Sequence, residues 1–273
     1  MKFVYFGSFH ISADILAGMV ERGAVPMAVV CNPDRPAGRN KIITPPAVKQ
    51  LILEKKWPIK ILQPEKVKDI ATELKDLGTD VFLVMGYPQI IPESILNIPR
   101  LRTIGVHPSL LPTYRGPSPI QSVLLAGEHE TGVTLYMIDK DVDHGKIISN
   151  VKFQISNEET NTSLEKRVAE VAADLIADTL PNIETITLCE QDHAAATFTQ
   201  KFTSADGRVD FIKDEPLEVY RKIKAFNPEP GVWTINFPGH EGKRVKLLAA
   251  QWRDNKIHIT SIHVEGKRPI KIG

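Results

Sequence analysis

The sequence predicts an α/β protein in which a Rossmann-like, mostly parallel sheet is followed by a small OB-like β-barrel domain. Through the first 190 residues, short apolar runs of strand length alternate with helical patterns, as they do in βαβ units. After residue 207 the pattern changes to one amphipathic helix and a few short strands, which is typical of a small barrel. We therefore expect a first domain over residues 1–189, a linker over 190–207 and a second domain over 208–273.

In the first domain, the predicted strands are short apolar runs separated by helical patterns. The strands are Phe3–Phe6, Val25–Cys31, Ile59–Leu62, Val81–Met85 and Thr103–Val106. The helices between them are Ala13–Glu21, Pro45–Lys55 and Glu65–Leu77. We expect Thr44 to cap the second helix, because its hydroxyl can accept a free N–H while Pro45 fixes φ at the first helical position.

The rest of the chain continues with paired strands, a long helix and the second domain. Strands Gly132–Asp139 and Lys146–Ile155 are predicted to be joined by a tight turn at Asp141–Gly145. The longest predicted helix is Ser163–Leu180, and residues 190–207 lose periodicity as a linker would. The second domain is predicted to contain helix Leu217–Phe226 and strands Val232–Phe237, Arg244–Arg253 and Lys256–Val264.

Composition is that of an ordinary soluble protein, with 42% hydrophobic and 25% charged residues. No apolar run approaches the roughly 18 residues of a membrane span, and the first residues lack the layout of a signal peptide. We expect a cytoplasmic monomer that does not associate with membranes. Cys31 and Cys189 have no metal-ligand spacing, so we expect reduced thiols and no metal site.

The small net charge of +1 conceals an uneven distribution along the chain. Residues 201–273 carry 14 Lys and Arg against 9 Asp and Glu, so the C-terminal part is basic. Either a polyanionic binding partner or an ordinary solvated surface would explain this excess of basic residues. Charge alone does not decide between these two interpretations.

Two common nucleotide-binding motifs are absent from the sequence. The first strand ends in Gly7-Ser8-Phe9-His10-Ile11, which lacks the glycines that let a backbone approach a pyrophosphate. No glycine-rich loop followed by Lys and Ser or Thr occurs either. The sequence therefore gives no support to a dinucleotide cofactor or to nucleotide hydrolysis.

Two polar residues mark a candidate site. His107 follows the predicted strand Thr103–Val106, and ligands of doubly wound sheets bind outside the carboxyl ends of the strands. Asp143 lies in the predicted turn between two further strands. A histidine can carry a proton near neutral pH, and a carboxylate can set its tautomer. The alternative is that His107 has only a structural role and that Asp-His-Gly forms an ordinary turn.

The sequence segments around these residues form a long motif. In order, they are Ser-Leu-Leu-Pro at 109–112, Tyr-Arg-Gly at 114–116, Pro-Ile-Gln at 119–121, Glu-Thr-Gly-Val-Thr at 130–134 and Asp-x-Gly at 143–145. This block resembles the active site of the folate-dependent formyltransferases. The resemblance extends over nearly the whole chain and is greatest to the family members that act on methionyl-tRNA.

The resemblance implies that His107 and Asp143 are the catalytic residues of formyl transfer. It also implies a departure, because Gly105 stands where the family has an Asn that donates its amide to the formyl oxygen. Loss of such a donor typically lowers a rate by about 10²–10³. We expect a water or a side chain such as Ser109 or Gln89 to fill the gap; a slow enzyme and a binding protein without turnover are the alternatives.

The resemblance further implies the binding residues. The folate pocket is expected to involve Ser109, Leu110, Leu111, Pro112, Gly86, Gln89, Ile90 and Asp139. Arg35, Arg39 and Lys41 lie in a basic, glycine- and proline-containing loop that is expected to contact tRNA, as the OB-like domain is.

The function implied is transfer of a formyl group from 10-formyltetrahydrofolate, a co-substrate, to the α-amine of methionine on initiator methionyl-tRNA in translation initiation. An N-formyltransferase acting on a sugar nucleotide is the alternative enzyme, and the loop containing Arg35 favours tRNA. A catalytically inactive tRNA- or folate-binding protein is the alternative from another class. A hydrolase of formyltetrahydrofolate is less attractive, because hydrolysis needs no basic second domain.

Overall fold

A seven-stranded sheet runs through the N-terminal part of the chain, and a four-stranded sheet lies near its C-terminus. The computed structural model describes residues 1–38 and 40–272. Its strands are β1 (Phe3–Phe6), β2 (Ala28–Val30), β3 (Arg35–Ala37), β4 (Ile42–Thr44), β5 (Lys60–Leu62), β6 (Val81–Val84), β7 (Arg102–His107), β8 (Glu130–Met137), β9 (Ile147–Gln154), β10 (Val232–Thr234), β11 (Val245–Arg253), β12 (Lys256–Val264) and β13 (Ile270–Lys271).

Seven α-helices are described besides short 3₁₀ turns. They are α1 (His10–Glu21), α2 (Ala47–Lys55), α3 (Ala71–Asp76), α4 (Glu93–Leu96), α5 (Pro119–Ala126), α6 (Asn161–Thr179) and α7 (Pro216–Phe226). Among the helices of the described residues, none combines the length and the hydropathy that a membrane span requires.

The large sheet has the order β5-β2-β1-β6-β7-β8-β9. Strands β5, β2, β1, β6 and β7 pair in parallel, whereas β7 and β8 are antiparallel. All four residues of β1 are buried, as expected of a strand covered on both faces. The predicted mostly parallel, Rossmann-like sheet is confirmed.

The chain divides into two units whose segments alternate along the sequence. The first unit contains residues 1–115, 132–152 and 166–196, and the second contains 116–131, 153–165 and the residues from 197 onward. The division into a domain over 1–189, a linker over 190–207 and a domain over 208–273 stays a prediction.

The predicted cap at Thr44 is wrong. Thr44 ends β4, where it pairs with Arg35 of β3, and its hydroxyl donates to the carbonyl of Ile42 at 2.9 Å. Pro46 precedes α2 and no side chain caps that helix. Because Thr44 pairs in the hairpin, it is not available to cap helix α2. The loop that we expected around Arg35 contains this hairpin.

Other differences are also local. The helix predicted over Glu65–Leu77 is a 3₁₀ turn at Val67–Ile70 followed by α3. Helix α5 was not predicted, although it has proline at its first position and ends at Gly127 with a φ of 71°. Residues 119–121 of this helix belong to the long motif.

The second unit contains α7 and the antiparallel sheet β10-β11-β12-β13. Helix α7 is amphipathic, and Val219, Ile223 and Phe226 on it are buried. The predicted helix and strands of the C-terminal part are therefore present, as a four-stranded antiparallel sheet with one helix.

Candidate active site

One face of the large sheet carries the candidate site at the end of β7. Gly105 of β7 pairs with Tyr136 of β8, and His107 pairs with Thr134. Because side chains alternate along a strand and directly paired residues share a face, these four residues lie on the same side of the sheet. The register of β7 and β8 therefore brings Tyr136 over Gly105 beside the histidine.

His107 is buried, with 4% of its surface exposed. Its Nε2–H donates to the carbonyl of Tyr114 at 2.9 Å, and its Nδ1 lies 3.5 Å from a carboxylate oxygen of Asp143. Burial lowers the pKa of His107, while Asp143 and the Tyr114 carbonyl oppose that shift. The ring is thus neutral near pH 7 with Nδ1 unprotonated.

Both ring nitrogens of His107 face hydrogen-bond acceptors. A neutral imidazole can donate to only one of them, whereas the protonated ring can donate to both. The site is therefore built so that His107 can accept a proton and then hold the resulting charge between Asp143 and the Tyr114 carbonyl.

The turn that carries Asp143 is held by buried polar groups. Asp143 has a φ of 48°, in the left-handed region. Gly145 leaves no room for a side chain, because an added Cβ would clash with the backbone carbonyl of Met137. The side-chain amide of Gln191 donates to the carbonyls of Asp143, at 3.0 Å, and Gly145, at 2.6 Å.

Arg115 holds the side chain of Gln191 in place. It is 3% exposed, and its guanidinium donates to the side-chain oxygen of Gln191 at 2.6 Å. Sequence reasoning missed Gln191, which falls in the predicted linker. No local pattern could have found it, because it contacts a turn 46 residues earlier in the chain.

The space beside Gly105 is filled by Tyr136. A Cβ added at Gly105 would lie 2.7 Å from the Tyr136 hydroxyl oxygen and would clash with two ring carbons. The hydroxyl donates to Asp143 at 2.6 Å. Burial and the nearby Asp143 carboxylate raise the pKa of Tyr136 well above its usual value, so the phenol remains protonated and can donate.

The side chains that we expected to fill the gap have other partners. The hydroxyl of Ser109 donates to the carbonyl of Thr113 at 2.6 Å. The amide of Gln89 donates to the carbonyl of Pro64 and accepts from the N–H of Val67. Tyr136, which the sequence analysis did not name, occupies the space instead.

The segment after His107 is tied to β8 by Thr134. The Thr134 hydroxyl accepts from the N–H of Leu111 at 3.2 Å and donates to the carbonyl of Ser109 at 2.7 Å. Ser109 and Leu111 are buried, whereas Leu110 and Pro112 are half-buried. Their role as folate contacts stays a prediction.

The other predicted folate residues differ in exposure. Gly86 has a φ of 62°, and its carbonyl accepts from the N–H of Ser8. Ile90 is 93% exposed. Asp139 is exposed and accepts from the N–H of Asp141. For Gly86, Gln89, Ile90 and Asp139 alike, the assignment to folate binding stays a prediction.

One group of side chains has the geometry of metal ligands. Asp139, Asp141 and His144 each offer one ligand atom within 4.8 Å of the others, and Nδ1 of His144 lies 2.8 Å from Asp139. The two carboxylates are exposed, and exposed acidic groups of this kind are common without an ion. The expectation of no metal site stays a prediction.

The basic loop contains exposed side chains on the β3–β4 hairpin. Arg35 forms an ion pair with Glu65, and Lys41 lies in the turn with a φ of 49°. Both side chains are exposed to solvent. Arg39 lies outside the described residues. Contact of these residues with tRNA stays a prediction.

Comparison with known proteins gives two family matches. The sequence model described as "Formyl transferase" matches residues 1–180, and that described as "Formyl transferase, C-terminal domain" matches 201–272. The methionyl-tRNA formyltransferase of Geobacter metallireducens is 34% identical over 90% of this chain and 78% of its own. That of Thermotoga maritima is 37% identical over 85% of this chain and 74% of its own.

Solved structures with the same fold have lower identity. The methionyl-tRNA formyltransferase from Clostridium thermocellum is 16% identical, with a TM-score of 0.61 over 99% of both chains. HypX from Aquifex aeolicus in complex with tetrahydrofolic acid is 18% identical, with a TM-score of 0.69 over 100% of this chain and 46% of that one. The two family matches and the sequence identities together show that the chain belongs to the formyl transferase family.

Proposed function

We propose that this protein transfers the formyl group of 10-formyltetrahydrofolate to the α-amine of methionine on initiator methionyl-tRNA, in translation initiation. The observation that carries the proposal is the buried His107 between Asp143 and the Tyr114 carbonyl, at the carboxyl end of β7. The names of the relatives support tRNA as the acceptor.

The reaction joins the amine to the formyl carbon and breaks the bond from that carbon to N10 of the folate. One proton must leave the amine, and N10 must gain one. His107 is suited to accept the first proton, since burial keeps its base form available and both ring nitrogens then have acceptors. Return of that proton to N10 completes the transfer without a metal ion.

Charge supports tRNA as the acceptor. Arg35 and Lys41 are exposed on the β3–β4 hairpin, and residues 201–273 carry 14 basic against 9 acidic residues. Such groups suit contacts to phosphates, which position a nucleic acid rather than read its sequence.

We propose that the protein acts as a cytoplasmic monomer, without association with membranes.

The alternative acceptor is an amine on a sugar nucleotide. Structures with this fold include WlaRD, described as a sugar 3N-formyl transferase, with a TM-score of 0.65 and 19% identity. That similarity concerns the fold alone. The relatives described above at 34% and 37% identity are named methionyl-tRNA formyltransferases, which favours the tRNA acceptor.

The test mixes the purified protein with 10-formyltetrahydrofolate and methionyl initiator tRNA and measures formylmethionyl-tRNA. We expect product with the wild type and a loss of about 10²–10⁴ in kcat for His107→Gln, which removes the titrating group. Asp143→Asn is expected to act in the same direction, and Asp141→Asn is its control, because Asp141 is an exposed carboxylate in the same turn.

Two outcomes would contradict the proposal. Product from an aminated sugar nucleotide but not from methionyl-tRNA would assign the chain to the sugar enzymes. Binding of folate and tRNA with no product from either acceptor would make it a binding protein without turnover.

A further inference from the structure

A tyrosine occupies the space that a side chain at position 105 would need. Gly105 and Tyr136 are directly paired across β7 and β8, so they compete for the same volume above the sheet. The hydroxyl oxygen of Tyr136 lies 2.7 Å from the place of a Cβ at 105. In an asparagine, the amide oxygen and nitrogen lie at a similar distance from Cβ. The Tyr136 hydroxyl therefore lies about where the amide of an asparagine at position 105 would be.

The Tyr136 hydroxyl has a defined partner. It donates to one carboxylate oxygen of Asp143 at 2.6 Å, while the other oxygen of that carboxylate lies 3.5 Å from Nδ1 of His107. The rings of Tyr136 and His107 meet edge to face, with centroids 6.4 Å apart. The three residues therefore form a chain from hydroxyl to carboxylate to imidazole.

Burial makes this arrangement persistent. Tyr136 is 7% exposed and His107 is 4% exposed, so water competes little for their hydrogen bonds. The backbone carbonyl of Asp143 accepts from the Gln191 amide at 3.0 Å, so the backbone of the turn is held independently of Tyr136. The Tyr136 hydroxyl on one carboxylate oxygen opposes rotation of the carboxylate and keeps the other oxygen towards His107.

We propose that Tyr136 is a positioning residue of the active site, which fills the space of the polar side chain absent at Gly105 and acts by orienting the Asp143 carboxylate towards His107. This inference rests on the proposed function for its kinetic consequence. Its structural content, the control of His107 by Tyr136 through Asp143, can be measured without any turnover.

The kinetic test uses Tyr136→Phe, which removes the hydroxyl and keeps the ring. We expect kcat for formylation to fall about tenfold or more, because a hydrogen bond to a charged group is lost, with unchanged KM for folate and tRNA. The matched control is Tyr5→Phe, since the hydroxyl of this buried tyrosine also donates to one acceptor, the carbonyl of Ser12. It is expected to leave kcat unchanged.

The second measurement is the titration of His107 by NMR in both tyrosine variants, with the signal assigned by its absence in His107→Gln. Tyr136→Phe removes the hydroxyl that holds one oxygen of the Asp143 carboxylate, so the other oxygen can shift away from Nδ1 of His107, and we expect the apparent pKa of His107 to fall below its wild-type value. In Tyr5→Phe it is expected to stay unchanged. A merely structural tyrosine would not produce this difference.

The outcomes separate the two proposals. If the wild type makes no formylmethionyl-tRNA while the His107 titration responds to Tyr136→Phe alone, the proposed function fails and the positioning role stands. If the titration of His107 in Tyr136→Phe equals that of the wild type, or if an active enzyme keeps its full kcat in that variant, the positioning role is overturned.

Discussion

The pairing of Gly105 with Tyr136 leads to a stability prediction for Gly105→Ala. The new methyl group would lie 2.7 Å from the tyrosine hydroxyl oxygen and would clash with two ring carbons. Ordinary contacts between such atoms are about 3.5–4.0 Å, so the ring must move by roughly 1 Å. The backbone cannot yield easily, because both residues belong to the β7–β8 ladder.

The cost has two parts. Overpacking of a buried site typically destabilises a protein by about 1–3 kcal/mol. The displaced hydroxyl also loses its 2.6 Å bond to Asp143, and a hydrogen bond to a charged group contributes about 1.5–3 kcal/mol. We expect Gly105→Ala to lower the free energy of unfolding by roughly 3–5 kcal/mol, and the melting temperature by about 10 °C.

Thermal unfolding followed by circular dichroism measures this effect, and Tyr136→Leu provides the comparison. Leucine lacks the ring atoms that clash, so the double variant is expected to be more stable than the sum of the two single effects predicts. We expect a coupling of about 2 kcal/mol between the two positions. A melting temperature of Gly105→Ala within about 1 °C of the wild type would refute the reasoning, because it would mean that the ring moves without cost.

Three further predictions concern the ionisation of His107, the support of the Asp143 turn by Gln191, and the tRNA contacts of the β3–β4 hairpin. Since burial lowers the pKa of His107 and the base form is the active one, the acid limb of kcat/KM is expected below the usual histidine value of about 6.5; a limb above that value would contradict the assignment. Gln191→Ala removes two hydrogen bonds from the Asp143 turn. We expect kcat to fall about tenfold while the circular dichroism spectrum stays unchanged. A wild-type kcat would show that the turn keeps its conformation without Gln191. Charge reversal of both Arg35 and Lys41 to Glu is expected to raise the KM for tRNA about tenfold at low salt and little at high salt. Equal KM values at low salt would remove the hairpin from the tRNA contacts.

Much of the fold was predictable from local patterns. Strand Phe3–Phe6 was predicted with its observed bounds, because a run of four apolar residues between Lys2 and Gly7 is a strong signal for a buried strand. Strand β12 was predicted with its observed bounds, and helix α6 was predicted to within two residues at each end, since their periodicity is long. His107 was expected at a strand end and lies at the end of β7.

The errors come from contacts that a local sequence pattern does not show. Thr44 and Pro45 are a good helix start by themselves, yet Thr44 pairs with Arg35 in the hairpin. Gln191 has no local signal, because its function is to satisfy carbonyls of a distant turn.

The sequence by itself determined the fold class, the position of His107 and Asp143 in their motif, and the absence of a polar side chain at position 105. Only the tertiary structure decided what lies beside that glycine. Tyr136 is 31 residues away, and it faces Gly105 because the register of β7 and β8 pairs the two positions. Register is set by the packing of the whole sheet, whereas sequence patterns report only the local period of each strand.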